Sequence, residues 1–286
     1  DKGDLYFRSI LAHNAQLKPY IVYWKQAQKK NGKYKGRTFK TKPHRNYPVK
    51  ITDGLYLHKK YKGKMMNLYG LAKPFLFMFS PEQAHSLAIA VLKAGIVPPL
   101  SDPRSSILSQ TLWDLNFPNP VGLAAGFDKN AEVFKPMLLQ GFGFVETGTV
   151  TPLAQPGNDK PRIFRLPEDN AVINRLGFNN KGLAYYIDQL KHRKISDGIV
   201  GANIGANELS DDPINDYVIG LEKVLGLADC FTINISSPNT PGLRKLQGKE
   251  ALDELLSKLK TVREKADLDK KPPLILKIAP DLDGSE

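Results

Sequence analysis

From residue 119 onward, short apolar runs alternate with amphipathic segments, and this pattern predicts an α/β fold. The apolar runs are continuous, as in parallel strands that are covered by helices on both faces. Polar residues follow these runs directly, which is where a (β/α)8 barrel of the TIM type builds its site. We therefore predict a TIM-type barrel that is incomplete here, with about five of the eight βα units of that fold.

The predicted elements of this region follow one another closely. Strands are expected at 121–125, 144–149, 199–204, 230–235 and 274–278, and helices near 132–140, 181–191, 214–225 and 249–266. A doubly wound sheet would also place ligands beyond its strand ends. The glycine-rich turn G-x-G-x-x-G, which usually follows the first strand of a dinucleotide-binding sheet, is absent from the sequence.

Two short helices are predicted ahead of the barrel, within residues 67–95. Apolar residues recur at helical spacing in the first, and Ser80 and Pro81 are a typical N-cap and first residue for the second. One face of the second helix, which Gly95 should end, is expected to carry Ala84, Leu87, Ala88, Val91 and Leu92. Such helices either pack on the following domain or lie on a membrane surface. Periodicity alone favours packing.

The positive charge of the chain is concentrated at one end. Residues 1–64 contain 17 Lys and Arg against 3 Asp and Glu, whereas the remaining residues contain 24 against 26. The main body is therefore nearly neutral and is not expected to bind nucleic acid. The basic leader could bind RNA, ribosomes or anionic lipid, or it could be a remnant of a neighbouring reading frame, with Met65 and Met66 as natural starts. We expect three regions: 1–64, a helical extension at 65–118, and the partial barrel at 119–286.

Composition also limits the chemistry. A single cysteine, Cys230, excludes a disulfide framework and a cysteine-rich metal site, and its apolar strand indicates packing rather than nucleophilic chemistry. No apolar run is long enough to span a bilayer, and the start lacks the pattern of a signal peptide. Both ends of the sequence read as cut.

The most informative motif is NISSPNTPGL at 234–243, directly after an apolar run. Two prolines stiffen this turn. It should hold Asn234, Ser237 and Asn239 as hydrogen-bonding groups, so that a hydroxyl can remove a proton from a carbon next to a carbonyl that the amides grip. Taken alone, the same residues could form an ordinary Ser/Pro-rich turn.

Three further segments converge on the same rim. They are GLAAGFDKN at 122–130, ETGTVTPLAQPGNDKPR at 146–162 and NRLGFNN at 174–180. Small residues in the first allow close approach to a flat ring, and Lys129 offers a charge to an anion. Asn203 and Lys277 add polar groups at strand ends. Each segment alone could be a solvated loop, but their common placement at strand ends favours a site.

Together these motifs closely resemble the dihydroorotate dehydrogenases, in particular the membrane-associated, quinone-using class 2 branch. The resemblance covers roughly residues 66–286. It implies an FMN-containing β/α barrel that oxidises dihydroorotate to orotate in pyrimidine synthesis. Ser237 matches the catalytic base, where the sister class with soluble acceptors has cysteine. The helices at 67–95 match the extension that forms a quinone tunnel and touches the membrane.

The resemblance also implies individual roles. Thr240 and Phe178 join Ser237 as catalytic residues by shaping a water-linked proton exit. The implied substrate contacts are Lys129, Asn174, Arg175, Leu176, Gly177, Phe178, Asn234 and Asn239. The implied FMN contacts are Ala125, Gly126, Phe127, Asp128, Lys129, Thr149, Asn203, Asn234 and Lys277. Lys277 would lie near the pyrimidine edge of the flavin and stabilise negative charge there.

The resemblance further implies peripheral association with the cytoplasmic face of a membrane (the inner membrane in a bacterium) and a membrane quinone as partner. No metal is implied. The family's later strands, which hold the FMN phosphate, are missing here, so we expect this chain alone to bind FMN poorly and to be inactive. Two alternatives remain: a related FMN-dependent dihydropyrimidine-type oxidoreductase, and a basic nucleic-acid-binding protein led by residues 1–64.

Overall fold

The computed structural model describes residues 29–30, 33–34, 68–99, 108–169 and 171–279. By its internal contacts the chain divides into two compact units, residues 1–70 and 71–286. Most of the predicted basic leader, together with Met65 and Met66, lies outside the described residues. Within the leader, only a short antiparallel hairpin is described, formed by β1 (Lys29–Lys30) and β2 (Lys33–Tyr34).

The remaining described strands are short, and most belong to one sheet. They are β3 (Gln110–Leu112), β4 (Leu115–Phe117), β5 (Gly122–Leu123), β6 (Phe144–Val150), β7 (Ile163–Leu166), β8 (Ala171–Asn174), β9 (Ile199–Ile204), β10 (Cys230–Asn234) and β11 (Leu274–Lys277). The helices are α1 (Leu68–Met78), α2 (Pro81–Lys93), α3 (Phe134–Leu139), α4 (Leu183–Leu190), α5 (Pro213–Val224) and α6 (Lys249–Lys265). Single 3₁₀ turns cover Ile195–Asp197 and Leu243–Gln247.

Five strands form the parallel sheet, in the order β11-β10-β9-β6-β5. A helix lies between most consecutive strands, as in the predicted TIM-type α/β fold. The sheet is not closed into a barrel, and β5 and β11 are its edge strands. The predicted strands are confirmed, four of them to within one residue at either end.

Two of the predicted elements are shorter than expected for identifiable reasons. The strand predicted at 121–125 pairs only at Gly122–Leu123, because Gly126 turns the backbone with a φ of +106°. The helix predicted near 132–140 begins at Phe134. The carboxylate of Asp128 accepts hydrogen bonds from the backbone N–H groups of residues 132 and 133, which therefore form a turn.

Besides β1–β2, two antiparallel hairpins are described that were not predicted from the sequence. One joins β3 to β4 and the other joins β7 to β8. Their strands are three or four residues long, too short for an alternating pattern to stand out. In the β7–β8 hairpin Phe164 lies opposite Ile173, and both side chains are partly exposed. This hairpin follows the segment 146–162, which begins within β6.

The core lies between the sheet and its covering helices. Its largest fully buried side chains include Tyr186 on α4, Tyr217 on α5 and Leu255 on α6. Both tyrosine hydroxyls find partners: that of Tyr186 bonds Thr147 on β6, and that of Tyr217 donates to a backbone carbonyl of β10. Cys230 is buried, at 9% exposure, which confirms its predicted packing role. The same burial raises the pKa of its thiol to about 12.

Helix α2 is built as its sequence predicts. Ser80 is the N-cap: its hydroxyl accepts from the N–H of Gln83, whose side chain accepts in turn from the N–H of Ser80. Gly95 follows the helix end with a φ of +69°. Ala84 and Leu92 are buried, but Leu87 is 42% exposed. The predicted face is therefore only partly covered, because the buried strip follows every fourth residue and leaves Leu87 on the solvent side.

A carboxylate attaches the C-terminal end of α2 to the rest of the unit. Glu132, in the turn before α3, accepts hydrogen bonds from Lys93 of α2, from Lys181 and from Tyr185 of α4, at 3.1, 3.0 and 2.7 Å. Burial acts to raise the pKa of Glu132, but these three donors outweigh it and hold the pKa at about 2, against an ordinary value of 4.5. The carboxylate is therefore ionised at neutral pH.

Replacing Glu132 by glutamine should lower the free energy of unfolding by about 1–2 kcal/mol at pH 7, because two ammonium groups lose their partner and solvent screens part of the loss. The native pKa lies below the ordinary value, so the carboxylate's contribution is complete above about pH 5 and declines as the pH falls from 4.5 toward 2. Urea unfolding of both proteins across this range measures the difference.

The matched control is Glu168→Gln, an exposed glutamate that makes none of the described hydrogen bonds or ion pairs. It should leave the free energy of unfolding within about 0.5 kcal/mol of the unchanged protein. Equal effects of the two substitutions would contradict the assignment of Glu132 as an anchor of α2.

Candidate active site

The parallel register brings the predicted polar residues to one edge of the sheet. Asn203 at the end of β9 lies opposite Gly148 of β6 on one side and Thr232 of β10 on the other. Asn234, the last residue of β10, lies opposite Lys277, the last residue of β11. The carboxyl ends of neighbouring strands therefore carry amide, hydroxyl and ammonium groups side by side.

Asn234 is the most fully bonded group of this edge. Its Nδ2 donates to Thr149 Oγ1 of β6 over 2.9 Å, and its Oδ1 accepts from the N–H and the hydroxyl of Ser236 at 3.3 and 2.9 Å. The Tyr217 hydroxyl donates to its backbone carbonyl over 2.7 Å. The side chain is buried, at 4% exposure. These bonds fix its orientation before any ligand binds.

The turn that follows β10 presents Ser237. The hydroxyl of Ser237 accepts from the N–H of Asn239 over 3.2 Å, and both residues are half-buried. Thr240 is buried, and its Oγ1 has no hydrogen-bond partner. Within the described ranges, no carboxylate or imidazole bonds the Ser237 hydroxyl. The geometry therefore presents a serine hydroxyl bonded by the backbone N–H of Asn239 rather than a serine–histidine pair.

Sequence reasoning passed over Glu146. This residue lies on β6, and its Oε1 accepts from Asn203 Nδ2 over 2.6 Å. Asn203 is fully buried, and its Oδ1 is left without a partner. The signal was present in the sequence, because a glutamate within the apolar run FVETGTV needs a partner if it is buried. Glu146 thus fixes the Asn203 amide so that its carbonyl oxygen remains free to accept.

The loop after β5 is held by its own backbone and by Asp128. Gly126 N–H donates to the carbonyl of Gly148, and Gly148 N–H donates to the carbonyl of Asp128, at 2.8 and 2.9 Å. The Asp128 side chain is occupied by the N–H groups of Glu132 and Val133. Its burial raises its pKa to about 6. This arrangement fixes the backbone on both sides of Gly126, next to Ala125 and Phe127.

Lys129 is half-buried and takes part in no hydrogen bond or ion pair among the described residues. Burial lowers the pKa of its ammonium group, and the Arg162 guanidinium adds to this effect, whereas the carboxylates of Glu82 and Asp128 oppose it. A desolvated ammonium without a partner is costly unless an anion approaches it. Lys129 is therefore suited to bind an anionic group.

The segment NRLGFNN is divided between the surface and the site. Asn174 and Arg175 are exposed, and among the described residues no hydrogen bond or ion pair joins them to the turn that follows β10. The Phe178 ring and the Thr149 methyl group both lie beside Gly205. A Cβ at position 205 would come within 3.0 Å of the ring and within 2.7 Å of the methyl group. Leu176 and Gly177 contribute backbone carbonyls, which accept from Asn158 N–H and from the Gln155 side chain.

The described residues hold no group of three or more histidine, cysteine, aspartate or glutamate side chains that could bind a metal ion. The groups that the structure does bring together are amides, hydroxyls, the Glu146 carboxylate and the Lys277 ammonium. Lys277 is exposed at its strand end. Such a set can bind a planar, anionic ligand by hydrogen bonds and charge, and it can position a hydroxyl for proton transfer.

Comparison with known proteins gives a consistent result. Residues 107–286 match the family described as Dihydroorotate dehydrogenase. The chain is 53% identical over 224 residues to the dihydroorotate dehydrogenase (quinone) of Azorhizobium caulinodans, covering 77% of this chain and 63% of that protein. It is 56% identical over 211 residues to the protein of the same name from Agrobacterium fabrum, and the match covers 72% of this chain and 57% of that protein.

Solved structures agree. The crystal structure of DHODH from Eimeria tenella in complex with ferulenol superposes with a TM-score of 0.68 at 38% sequence identity. The match covers 76% of this chain and 63% of that one. The chain thus spans less than two-thirds of the length of the curated relatives that it matches.

Replacing Thr149 by valine should destabilise the protein by about 1–3 kcal/mol, because the shape is kept while the buried Nδ2 of Asn234 loses its acceptor. Urea unfolding measures the change in the free energy of unfolding. The control is the same isosteric change at the exposed Thr111 of β3, where a difference of less than about 0.5 kcal/mol is expected. A Thr149→Val protein as stable as this control would show that the bond does not hold Asn234.

Proposed function

The chain belongs to the dihydroorotate dehydrogenase family, and from this premise we propose that the complete protein oxidises dihydroorotate to orotate, with FMN as cofactor and a quinone as electron acceptor. The observation that carries the proposal is the turn at 236–240. It holds the Ser237 hydroxyl beside the Asn239 amide, directly after a strand whose last residue, Asn234, is fixed by Thr149.

The residues present fit a flavin. Asn203 Oδ1 is buried without a partner and can accept from a ring N–H. A Cβ at Gly126 would meet nothing within 4 Å, so the backbone there is open to a flat ring. FMN, when bound, supplies the acceptor for the hydride that leaves the substrate. We propose Ala125, Gly126, Phe127, Asp128, Lys129, Thr149, Asn203, Asn234 and Lys277 as the residues that contact it.

The role of Ser237 is that of general base. Its oxygen takes the proton from the carbon next to the substrate carbonyl, while the hydride leaves the adjacent carbon. Because a free serine is a weak base, its proton must pass on to water. Thr240, whose buried hydroxyl has no partner, and the ring of Phe178, packed beside Thr149, are proposed to shape that exit.

The substrate is held by charge and amides. Lys129, which has no hydrogen bond or ion pair among the described residues, offers a half-buried ammonium to the substrate carboxylate, and Asn234 and Asn239 lie on the two sides of Ser237 in the chain. Asn174 lies at the exposed end of β8, where its amide is free to contact a ligand. Arg175, Leu176, Gly177 and Phe178 complete the proposed contacts. Orientation of this kind can lower a barrier by several kcal/mol, since it removes the need to bring reacting groups together during the reaction.

Ser237→Ala should reduce dihydroorotate oxidation by a factor of about 10²–10⁴, because the proton acceptor is removed while the amides and the flavin contacts remain. The measurement is turnover with dihydroorotate and a quinone, in a version of the protein that spans the full length of its relatives. Flavin absorbance of the purified variant is the control and should not change. Turnover within tenfold of the unchanged protein would remove Ser237 from this role.

The helix pair α1–α2 supports the membrane part of the proposal. Among the described helices, none has both the length and the apolar character needed to cross a bilayer. Yet α1 exposes large apolar side chains, with Phe75 at 69% and Met78 at 81%. Arg165 of β7 caps its C-terminal end, donating to the carbonyls of Leu76 and Phe79. We propose that α1 lies on the surface of the membrane that supplies the quinone, at its cytoplasmic face.

Replacing both Phe75 and Met78 by serine should weaken binding to lipid vesicles at least about tenfold, because each buried apolar side chain contributes about 1.5–3 kcal/mol. Vesicles without net charge exclude attraction to the basic residues of the leader, and co-sedimentation measures binding. The control is Leu209→Ser, which removes an apolar side chain that is 94% exposed elsewhere on the unit. Equal binding by both variants would contradict the proposed attachment through α1.

A further inference from the structure

A buried arginine lies between the helix pair and the proposed substrate site. Arg162, the residue before β7, is only 6% exposed although it is charged. It belongs to the loop 155–162, within the segment 146–162 that the sequence places at the rim without assigning a role to Arg162. Burying a guanidinium group is costly unless its donors are satisfied, so its partners indicate what it does.

On one side Arg162 holds the first turn of α2. Its Nε donates to Glu82 Oε2 over 3.2 Å, and one terminal nitrogen donates to Glu82 Oε1. The hydrogen bond from Arg162 lowers the pKa of Glu82, so the pair is ionised at neutral pH. Such two-point pairing fixes the relative orientation of the two groups as well as their distance.

On the other side the same guanidinium holds the loop. Its second terminal nitrogen donates to the backbone carbonyls of Pro156 and Asn158, the latter over 2.9 Å. The backbone carbonyl of Arg162 also accepts from Arg175 N–H over 2.9 Å. One side chain thus bridges α2 and the loop, while its backbone reaches the segment after β8.

Asn158 extends this connection to the Ser237 turn. Its Nδ2 donates to the backbone carbonyl of Asn239 over 3.3 Å, and its N–H donates to the carbonyl of Leu176 over 3.1 Å. Asn239 in turn donates its N–H to the Ser237 hydroxyl. An unbroken series of contacts therefore runs from Glu82 on α2 through Arg162 and Asn158 to the proposed catalytic turn.

We propose that Arg162 is a positioning residue that couples helix α2 to the Ser237 turn, so that the placement of α2 influences how tightly the site holds dihydroorotate. The identity of the substrate rests on the proposed function. The series of contacts from Glu82 to the Ser237 turn does not depend on it. When α2 moves, Glu82 moves with it. Because the guanidinium is rigid, the backbone carbonyls of residues 156 and 158 that it bonds shift as well. Since coupling between two sites is reciprocal, substrate in the site also steadies α2.

The planar guanidinium is essential to this role. Lysine can retain an ion pair with Glu82. A single ammonium cannot, however, bond both oxygens of Glu82 and both loop carbonyls at once, as the planar guanidinium does. Arg162→Lys should therefore keep α2 attached yet release the loop. Glu82→Gln is the complementary change, since it keeps the contacts of Arg162 with the loop carbonyls and weakens the attachment to α2, which also includes the ion pair of Glu82 with Lys160 at 3.7 Å.

The test uses both variants in a version of the protein that spans the full length of its relatives. Arg162→Lys should raise the KM for dihydroorotate about two- to thirtyfold with a smaller change in kcat. Hydrogen–deuterium exchange should become faster at the Asn239 amide, although that residue is not touched by the substitution. Glu82→Gln should change both readouts in the same direction by a smaller factor.

The control is Lys93→Gln, which breaks the attachment of the other end of α2 to Glu132. It should speed exchange in α2 and leave the 236–240 turn and the KM for dihydroorotate unchanged. If Arg162→Lys changes exchange in α2 and in the loop but not in the 236–240 turn, Arg162 only stabilises its immediate surroundings and the proposal is overturned. If the unchanged protein does not oxidise dihydroorotate, the proposed function fails, while the exchange comparison still decides whether the coupling exists.

Discussion

The parallel hydrogen bonding of the five-stranded sheet is the constraint on which the candidate site depends. Parallel strands end on the same side, so residues far apart in sequence become neighbours without any direct attraction between them. The register that pairs Asn234 with Lys277 also sets Asn203 between β6 and β10. The polar strand-end groups of the candidate site project from a sheet whose strands are otherwise apolar. A shift of one residue in the pairing of any of these strands would turn their side chains to the opposite face.

The scaffold could be predicted well because its signals are local. Each sheet strand is an apolar run bounded by turn residues, and each covering helix repeats its apolar residues at helical spacing, so both follow from short windows of sequence. The β7–β8 hairpin could not be predicted in this way. Its Arg165 donates to the carbonyls of Phe79 and Leu76, which lie 86 and 89 positions away in the sequence, and no short window contains such a contact.

The sequence proposes residues for the candidate site but does not indicate their partners. Ser237, Asn234 and Lys129 stand out because their types are unusual after a buried strand. Nothing in the sequence assigns Glu146 to Asn203 or Arg162 to Glu82, since each pair is separated by more than fifty residues. Their partnership is decided by the fold, because a charge enclosed by apolar groups has to find whatever partner the packing brings near.

The contacts of Arg162 with the loop have an evolutionary consequence. It binds Pro156 and Asn158 through carbonyl oxygens, which every amino acid carries. Substitutions at position 156 that preserve the local backbone can therefore accumulate without loss of the contact, whereas position 162 admits no other residue with the same fork of donors. Lineages that diverge in this loop should look dissimilar when compared letter by letter while still keeping the same arginine.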